Sequence, residues 1–146
     1  SVATSARLAL GAPPPPSRAP PFGASLPDAG AASYRSVFGR PIGKFQVVKH
    51  KLARMATQVT SAKALTYAVA DRLRDGQAGM AEIAMAKNHA AEVAQEVCWE
   101  AVQIHGGMGY MREAKVERWA RDARLLPIGG GTTEIMNELI ARGLGL

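Results

Sequence analysis

Apolar residues recur every three or four positions through the middle of this chain. The first such stretch begins after Gly43, and its apolar positions are Phe45, Val48, Leu52, Met55, Val59, Ala62, Leu65, Val69 and Leu73. This spacing places them on one face of a helix and predicts a long amphipathic helix over residues 44–74. The segment Asp75–Gly79 contains two glycines and is predicted to end this helix.

A second stretch with the same period follows. Its apolar positions are Met80, Ile83, Ala84, Ala90, Val93, Ala94, Val97, Ala101 and Ile104. The pattern predicts a helix over residues 79–105, with Gly106 at its C-terminal end, where glycine is common. We expect the two long helices to pack antiparallel. The residues expected to face each other are Leu52, Met55 and Val59 on the first helix and Val93 and Val97 on the second.

Two shorter helices are predicted in the last third of the chain. The third covers roughly Val116–Ala123, and Pro127 prevents it from continuing. The fourth begins near Thr132, which can serve as its N-cap, and Glu134 suits the positive end of the helix dipole. Its apolar stripe consists of Ile135, Leu139, Ile140 and Leu144. Since no strand-like alternation occurs, the sequence predicts an all-α fold, an up-and-down four-helix bundle.

Residues 1–33 differ in composition from the rest. They are rich in Pro, Ala and Ser, include the run Pro13–Pro16 and hold one acid, Asp28. Because proline interrupts helices and little apolar surface is available, we expect residues 1–33 to be disordered and residues 34–146 to form the folded domain. Arginines with almost no acids also occur in transit peptides, but the prolines favour a linker or an incorrect gene boundary. Since the chain begins with Ser, we expect a fragment or a processed product.

Composition narrows the classes of partner. The length of 146 residues suits one domain, and the net charge of +6 is spread along a helical pattern with few aromatic residues beside it. Scattered charge of this kind is typical of a solvated helix face, so a nucleic-acid binder ranks last among the hypotheses. The sequence has no apolar run of the ~18 residues that a membrane span requires. Its single cysteine, Cys98, excludes an internal disulfide and is predicted to be a small buried residue.

Two glycine-rich segments, Gln103–Tyr110 and Ile128–Ile135, lie between the predicted helices. Glycine lets the backbone approach a ligand closely, and the second segment opens a helix whose free N–H groups suit an anionic or carbonyl-bearing ligand. From their spacing we expect both segments to face one site.

These segments carry a family resemblance. Together with Tyr34–Gly43, Gln46 and His50–Ala56, they resemble, in the same order, the C-terminal helical domain of the acyl-CoA dehydrogenases. The resemblance runs from Tyr34 to Leu146. It implies a flavoprotein oxidoreductase of fatty acid metabolism that binds FAD, forms homodimers or homotetramers through this bundle and dehydrogenates acyl-CoA thioesters. It also implies electron-transfer flavoprotein as electron acceptor. Bacterial cytoplasm and the mitochondrial matrix are both compatible with it.

The resemblance implies roles for individual residues. Arg35 matches an arginine that reaches the FAD pyrophosphate of a neighbouring subunit, and Gln46 matches a glutamine near the adenine end of that FAD. The loop packed on the partner's flavin nucleotide is matched by Gln103, Gly106 and Gly107. The residues that contact the flavin of their own subunit are matched by Thr132 and Glu134. Without the motif, Arg35 reads as a surface arginine, and Glu134 equally fits a plain helix-start residue. His105 is predicted to pack or to form a hydrogen bond. No second His or acidic ligand is spaced for a metal, so no metal site is predicted.

The resemblance also raises the question of the catalytic base. Abstraction of an α-proton requires a carboxylate beside the thioester, and many members carry it where this chain has Gly130. Another subgroup has glycine there and supplies glutamate from an upstream helix. The corresponding position falls near Ala9, where Ala6-Arg7-Leu8 offers no glutamate. We therefore predict that this chain alone lacks the base and two domains and is inactive. The alternative is a non-catalytic helical oligomerisation module derived from the family.

Overall fold

The computed structural model describes residue 32 and residues 35–146. Within that part the fold is all-α apart from one short antiparallel pair, which confirms the predicted class. The pair consists of β1 (Ser36–Val37) and β2 (Arg40–Pro41), and the backbone of Phe38 (φ 52°) and Gly39 (φ 76°) turns the chain between them. Two consecutive residues with positive φ form the tight turn that suits a hairpin. Strands of two residues are too short to show alternation in the sequence.

A 3₁₀ turn (Ile42–Lys44) leads into two long helices, α1 (Gln46–Arg74) and α2 (Met80–His105). Their bounds agree with the predicted bounds to within two residues. The helices run antiparallel, as the polar pairs along their seam show: Arg54 Nη2 lies 2.6 Å from Glu96 Oε1 near one end, and Arg72 Nη2 lies 3.2 Å from Glu82 Oε1 near the other.

The core lies between α1 and α2. The predicted facing residues Met55, Val59, Val93 and Val97 are all buried there, with Leu52 packed against them at partial exposure, which confirms the assignment of the two apolar faces. Ala32 belongs to the same core, so the folded part includes a residue ahead of the predicted boundary at Tyr34. The rest of the predicted disordered segment lies outside the described residues.

Three further helices cover the remainder: α3 (Gly107–Tyr110), α4 (Lys115–Ala123) and α5 (Thr133–Gly143). Both α4 and α5 pack on α2, which makes α2 the central helix. The C-terminal end of α4 packs on the middle of α2, where Ala123 joins Ala94 and Cys98 in a second buried cluster. Cys98 is thus a buried core residue, as predicted.

Helix α5 runs antiparallel to α2 at close range. Its Gly143 is so near Ala81 that a Cβ atom on residue 143 would lie 2.4 Å from the Cβ of Ala81. The predicted apolar stripe of this helix is only partly used: Leu139 and Ile140 are half-buried, whereas Ile135 and Leu144 are 56% and 65% exposed. Half of this stripe is therefore exposed, and the contact of α5 with α2 includes small and polar residues, Gly143 against Ala81 and Asn137 against Asn88.

No helix in the described part of the chain combines the length and the hydropathy needed to cross a membrane.

Candidate functional site

The first glycine-rich segment begins where α2 ends. Gly106 has φ 61° and ψ −143°, a combination that residues with a side chain rarely adopt. The guanidinium of Arg35 lies directly over it, because a Cβ atom at residue 106 would be 2.5 Å from Arg35 Nη1. The same nitrogen donates a hydrogen bond of 2.8 Å to the carbonyl oxygen of Ile104. Arg35 and Gly106, both matched to cofactor contacts in the sequence, are therefore neighbours in the fold.

The guanidinium also suits the electrostatics of this helix end. The C-terminus of a helix carries a partial negative charge from its unpaired carbonyl groups, and a cation there is stabilising. Next to it His105 hydrogen-bonds through Nδ1 to the carbonyl oxygen of Ala101 at 2.8 Å, which supports the packing and hydrogen-bonding role predicted for it. Gln103 and Gly107 are exposed beside this contact, so their polar groups face outward.

Part of the first glycine segment is helical, which the sequence pattern did not predict. Gly107–Tyr110 forms one turn, α3, and Gly109 is buried in it. A Cβ atom on Gly109 would lie 2.6 Å from the carbonyl oxygen of Val102. Glycine has low helix propensity, so contact with α2 and not local preference holds this turn.

Gln46 is the first residue of α1 and lies at the same end of the molecule, because the N-terminal half of α1 packs on the C-terminal half of α2. It lines a shallow, open depression whose other residues are Val47, His50, Lys51 and Arg54. The groups predicted to contact a partner's cofactor are thus together at the C-terminal end of α2. These residues, called the α2-end group below, are Arg35, Gln46, Gln103, Gly106 and Gly107.

The second glycine segment leads into α5. Gly130 and Gly131 have φ values of 70° and 104°, and Thr132 is the N-cap of the helix, as predicted. The Thr132 hydroxyl oxygen accepts a hydrogen bond of 3.4 Å from the Ile135 N–H. Gly130 is exposed, and a Cβ atom placed on it would have no other atom within 4 Å. The position that the resemblance matches to a catalytic base is therefore an open, glycine-lined corner.

Glu134 lies in the first turn of α5. A hydrogen bond from its own backbone N–H lowers the pKa of its carboxyl group below the ordinary value of 4.5. The Thr132 hydroxyl and the positive charges of Lys87 and Arg124 act in the same direction, against a smaller opposing effect of desolvation. A carboxylate is favoured at a helix N-terminus, where the dipole is positive. Glu134 is therefore ionised at neutral pH and acts as a hydrogen-bond acceptor.

One residue that contacts this loop, Lys87 on α2, was not predicted from the sequence. Lys87 is only 7% exposed, and its ammonium donates a hydrogen bond of 2.6 Å to the carbonyl oxygen of Gly131. Beside it, Asn88 Nδ2 contacts the carbonyl oxygen of Thr133 at 3.3 Å. The available signal was a lysine among the buried alanines Ala84, Ala86, Ala90 and Ala91, where a charge has to have a partner. The second group, called the α5-start group below, is Lys87, Gly130, Gly131, Thr132 and Glu134.

The two groups are far apart in one copy of the chain. Ile104 marks the α2-end group and Lys87 the α5-start group, and they are separated by about five turns of α2, or roughly 25 Å at the helical rise. The expectation that both glycine segments face one site is therefore wrong within a single copy. The reason is that α4 carries the chain back along α2 between the two segments, a path that sequence spacing does not reveal.

Among residue 32 and residues 35–146, no three side chains of His, Cys, Asp or Glu come together in a way that could hold a metal ion.

Comparison with known proteins shows which protein family this chain resembles. The family model described as acyl-CoA dehydrogenase, C-terminal domain, matches residues 29–145. The chain is 43% identical over 113 residues to the 3-(aryl)acrylate reductase of Clostridium sporogenes, covering 77% of this chain and 30% of that protein. It is 44% identical over 113 residues to the probable acyl-CoA dehydrogenase YngJ of Bacillus subtilis, with the same two shares.

The fold has solved counterparts. The butyryl-CoA dehydrogenase of Megasphaera elsdenii superimposes with a TM-score of 0.83 at 34% identity, over 99% of this chain and 35% of that one. This chain therefore spans about a third or less of the length of the relatives that it matches.

Proposed function

This chain belongs to the acyl-CoA dehydrogenase family as its C-terminal helical domain, and we propose that it contacts FAD and joins subunits in an enzyme of that family. Such an enzyme removes an α-proton and a β-hydride from an acyl-CoA thioester. FAD, held by the residues given below, would supply the hydride acceptor, and electron-transfer flavoprotein would then take the electrons.

The observation that carries this proposal is the separation of the two groups. Residues that the resemblance assigns to a partner's FAD form the α2-end group, whereas Thr132 and Glu134, assigned to the chain's own FAD, belong to the α5-start group. A distance of roughly 25 Å along α2 fits this division, because one cofactor would be contacted from two different subunits. The proposal therefore requires a homo-oligomer, a homodimer or homotetramer.

The donors present suit the anionic and carbonyl groups of a flavin dinucleotide. A guanidinium has five N–H donors in a planar fork that matches phosphate, and the bond from Arg35 to Ile104 uses one of them. At the other group, the exposed backbone of Gly130 lies at an open corner. The N–H groups of Thr133 and Ile135 at the start of α5 are already bonded to Pro127 and Thr132, so the loop ahead of the helix is the part left to meet a ligand. Arg35, Gln46, Gln103, Gly106, Gly107, Thr132 and Glu134 would hold the cofactor.

The residues described above include no group placed to abstract the α-proton. A base must lie within hydrogen-bond reach of the α-proton, and Gly130 supplies no carboxylate. Glu134, four residues further on, has its carboxylate engaged by its own N–H and by Thr132. We infer that the base comes from an upstream helix of the whole enzyme and that the 146-residue chain alone does not dehydrogenate acyl-CoA.

A second candidate is a non-catalytic oligomerisation module. The exposed apolar side chains of Ile135 and Leu144 on α5, and of Trp99 on α2, favour it, because apolar surface of this kind is typical of subunit contacts. Both candidates need the same bundle, so only a cofactor measurement separates them.

The test is a chimera. Residues 34–146 replace the matching segment of the full-length Bacillus subtilis relative, and flavin absorbance is read after purification. We expect a yellow protein whose flavin is bleached by an acyl-CoA that also bleaches the parent enzyme. Arg35→Met should lower the flavin content, whereas Arg112→Met, at an exposed site between α3 and α4, should not. A folded, oligomeric chimera without flavin would favour the second candidate.

A further inference from the structure

The structure assigns to Lys87 a positioning role that neither the motif nor the family match gives it. We propose that its ammonium, by holding the carbonyl group of Gly131, fixes the glycine loop that opens α5. The ammonium does not itself react. The link from this loop to a cofactor rests on the function proposed above, whereas the link from Lys87 to the loop does not.

The first argument is the free-energy cost of burying the Lys87 ammonium. Lys87 is 7% exposed, and taking an ammonium out of water is unfavourable unless strong partners replace the lost hydration. Within residues 35–146 no carboxylate forms an ion pair with it. It donates instead to a neutral group, the carbonyl oxygen of Gly131, 2.6 Å away. An apolar side chain of the same length would fill this space at lower cost, so packing alone does not account for a lysine here.

The second argument is what the bond holds. Gly130 and Gly131 both have positive φ, and glycine has more backbone freedom than any other residue. A loop of this kind keeps one conformation only if bonds from outside restrain it. Two such restraints come from α2: Lys87 donates to the carbonyl oxygen of Gly131, and Asn88 donates to that of Thr133 at 3.3 Å.

The third argument is where the restraint acts. Gly131 immediately precedes the N-cap Thr132 and follows Gly130, a position that is exposed and has no other atom within 4 Å of an added Cβ. Because a trans peptide is planar, a carbonyl group of Gly131 that is held toward α2 directs the N–H of the same peptide, which belongs to Thr132, the opposite way. Lys87 therefore sets which backbone donors the loop presents beyond the start of α5.

The test uses the full 146-residue chain labelled with ¹⁵N. Lys87→Met should shift the amide signals of Gly130, Gly131 and Thr132 and speed the hydrogen exchange of these amides, because the carbonyl restraint is lost. Lys87→Arg, which keeps a donor, should restore part of the native shifts. The matched control Lys49→Met, at an exposed site on α1, should leave these signals in place.

Loop signals that stay in place in a folded Lys87→Met variant would overturn the proposal. If Lys87→Met does not fold, Lys87→Gln is read in the same way, with Lys87→Arg as its rescue. Amine-directed acylation of the unmodified chain is an independent arm: Lys87 should react more slowly than Lys49, and equal rates would contradict a held ammonium.

The experiment distinguishes failure of the role proposed for Lys87 from failure of the proposed cofactor function. In the chimera described above, Lys87→Met should lower flavin content as well as move the loop. A moved loop with unchanged flavin content would uphold the role of Lys87 and contradict the cofactor role of the α5-start group.

Discussion

The guanidinium of Arg35 occupies the space where a side chain on Gly106 would begin. A Cβ atom at residue 106 would lie 2.5 Å from Arg35 Nη1, although the two residues are far apart in the sequence. The contact joins the start of the folded domain to the end of α2, and it requires glycine for two reasons, the neighbour and the positive φ.

Gly106→Ala should therefore destabilise the fold. The backbone conformation at this position costs about 1–3 kcal/mol for a residue with a side chain, and the methyl group would also displace Arg35. Gly107→Ala is the matched control, because residue 107 lies in α3 and has no other atom within 4 Å of the added Cβ. Urea denaturation of both variants gives the comparison. Equal losses would show that the contact with Arg35 is not what selects glycine.

Met55→Ala tests the predicted core. Met55 is 1% exposed between α1 and α2, and truncation of such a residue leaves a cavity that costs about 2–5 kcal/mol. Leu73→Ala, at a site 55% exposed near the end of α1, should cost less than about 1 kcal/mol. Denaturant midpoints measure both, and a Leu73→Ala loss as large as that of Met55→Ala would contradict the assignment of the core.

The sequence was sufficient to predict the two long helices, but not the short elements that pack around them. Periodicity over α1 and α2 fixed their facing residues, because a long run of apolar positions leaves little ambiguity. The turn of α3 and the β1–β2 hairpin depend on contacts with α2 or on two positive φ values, and neither leaves a periodic signal. The apolar stripe of α5 was predicted from its period, but a pattern shows which side of a helix is apolar and not what covers that side.

The site shows the same limit. Motif order predicted site roles for Arg35, Gly106 and Thr132, and the structure brings the first two together. The order of the motifs could not show that Thr132 lies far along α2 from Gly106, because this depends on the path of α4. Lys87 was missed because a lysine in a helical pattern is ordinarily placed on the solvent side. Its burial becomes visible only when α5 is packed on α2.

The stability of the start of α5 should depend on pH through the ionisation of Glu134. Its folded-state pKa is below the ordinary value of 4.5, so ionisation favours the folded state. The resulting stabilisation is fully present above about pH 4.5 and is lost as the pH falls through the lower folded-state value. A side-chain ¹³C titration should place the midpoint of Glu134 below 4.5. A midpoint at or above that value would contradict the hydrogen bonds at this helix start.

Thr132→Ala should act on the same helix start in two ways. Loss of the N-cap costs about 1 kcal/mol of stability, as for other caps of this type. Since the Thr132 hydroxyl also lowers the pKa of Glu134, the titration midpoint of Glu134 should rise in the variant. Thr132→Ser keeps the hydroxyl and serves as the control, in which both quantities should stay close to those of the unmodified chain.

The last prediction concerns the missing base at Gly130. A side chain there meets no other atom within 4 Å, so a glutamate fits sterically, although φ of 70° costs about 1–2 kcal/mol for a residue other than glycine. In a full-length relative whose upstream glutamate has been removed, a Gly→Glu change at the position of Gly130 should restore part of the activity. A positioned general base contributes roughly 10²–10⁴ in rate, which sets the scale of the recovery.

In the 146-residue chain the same Gly130→Glu change should restore nothing, because the chain spans about 30% of the length of the relatives that it matches and, on the proposed function, cannot build the whole site alone. Acyl-CoA-dependent bleaching of flavin measures both cases, and Gly130→Gln is the control that keeps the size of the side chain without its basicity. Recovery by Gly130→Gln equal to that by Gly130→Glu would exclude a base at this position. Turnover by the unmodified chain with FAD and an acyl-CoA would show instead that a base is already present, and the upstream assignment would then be wrong.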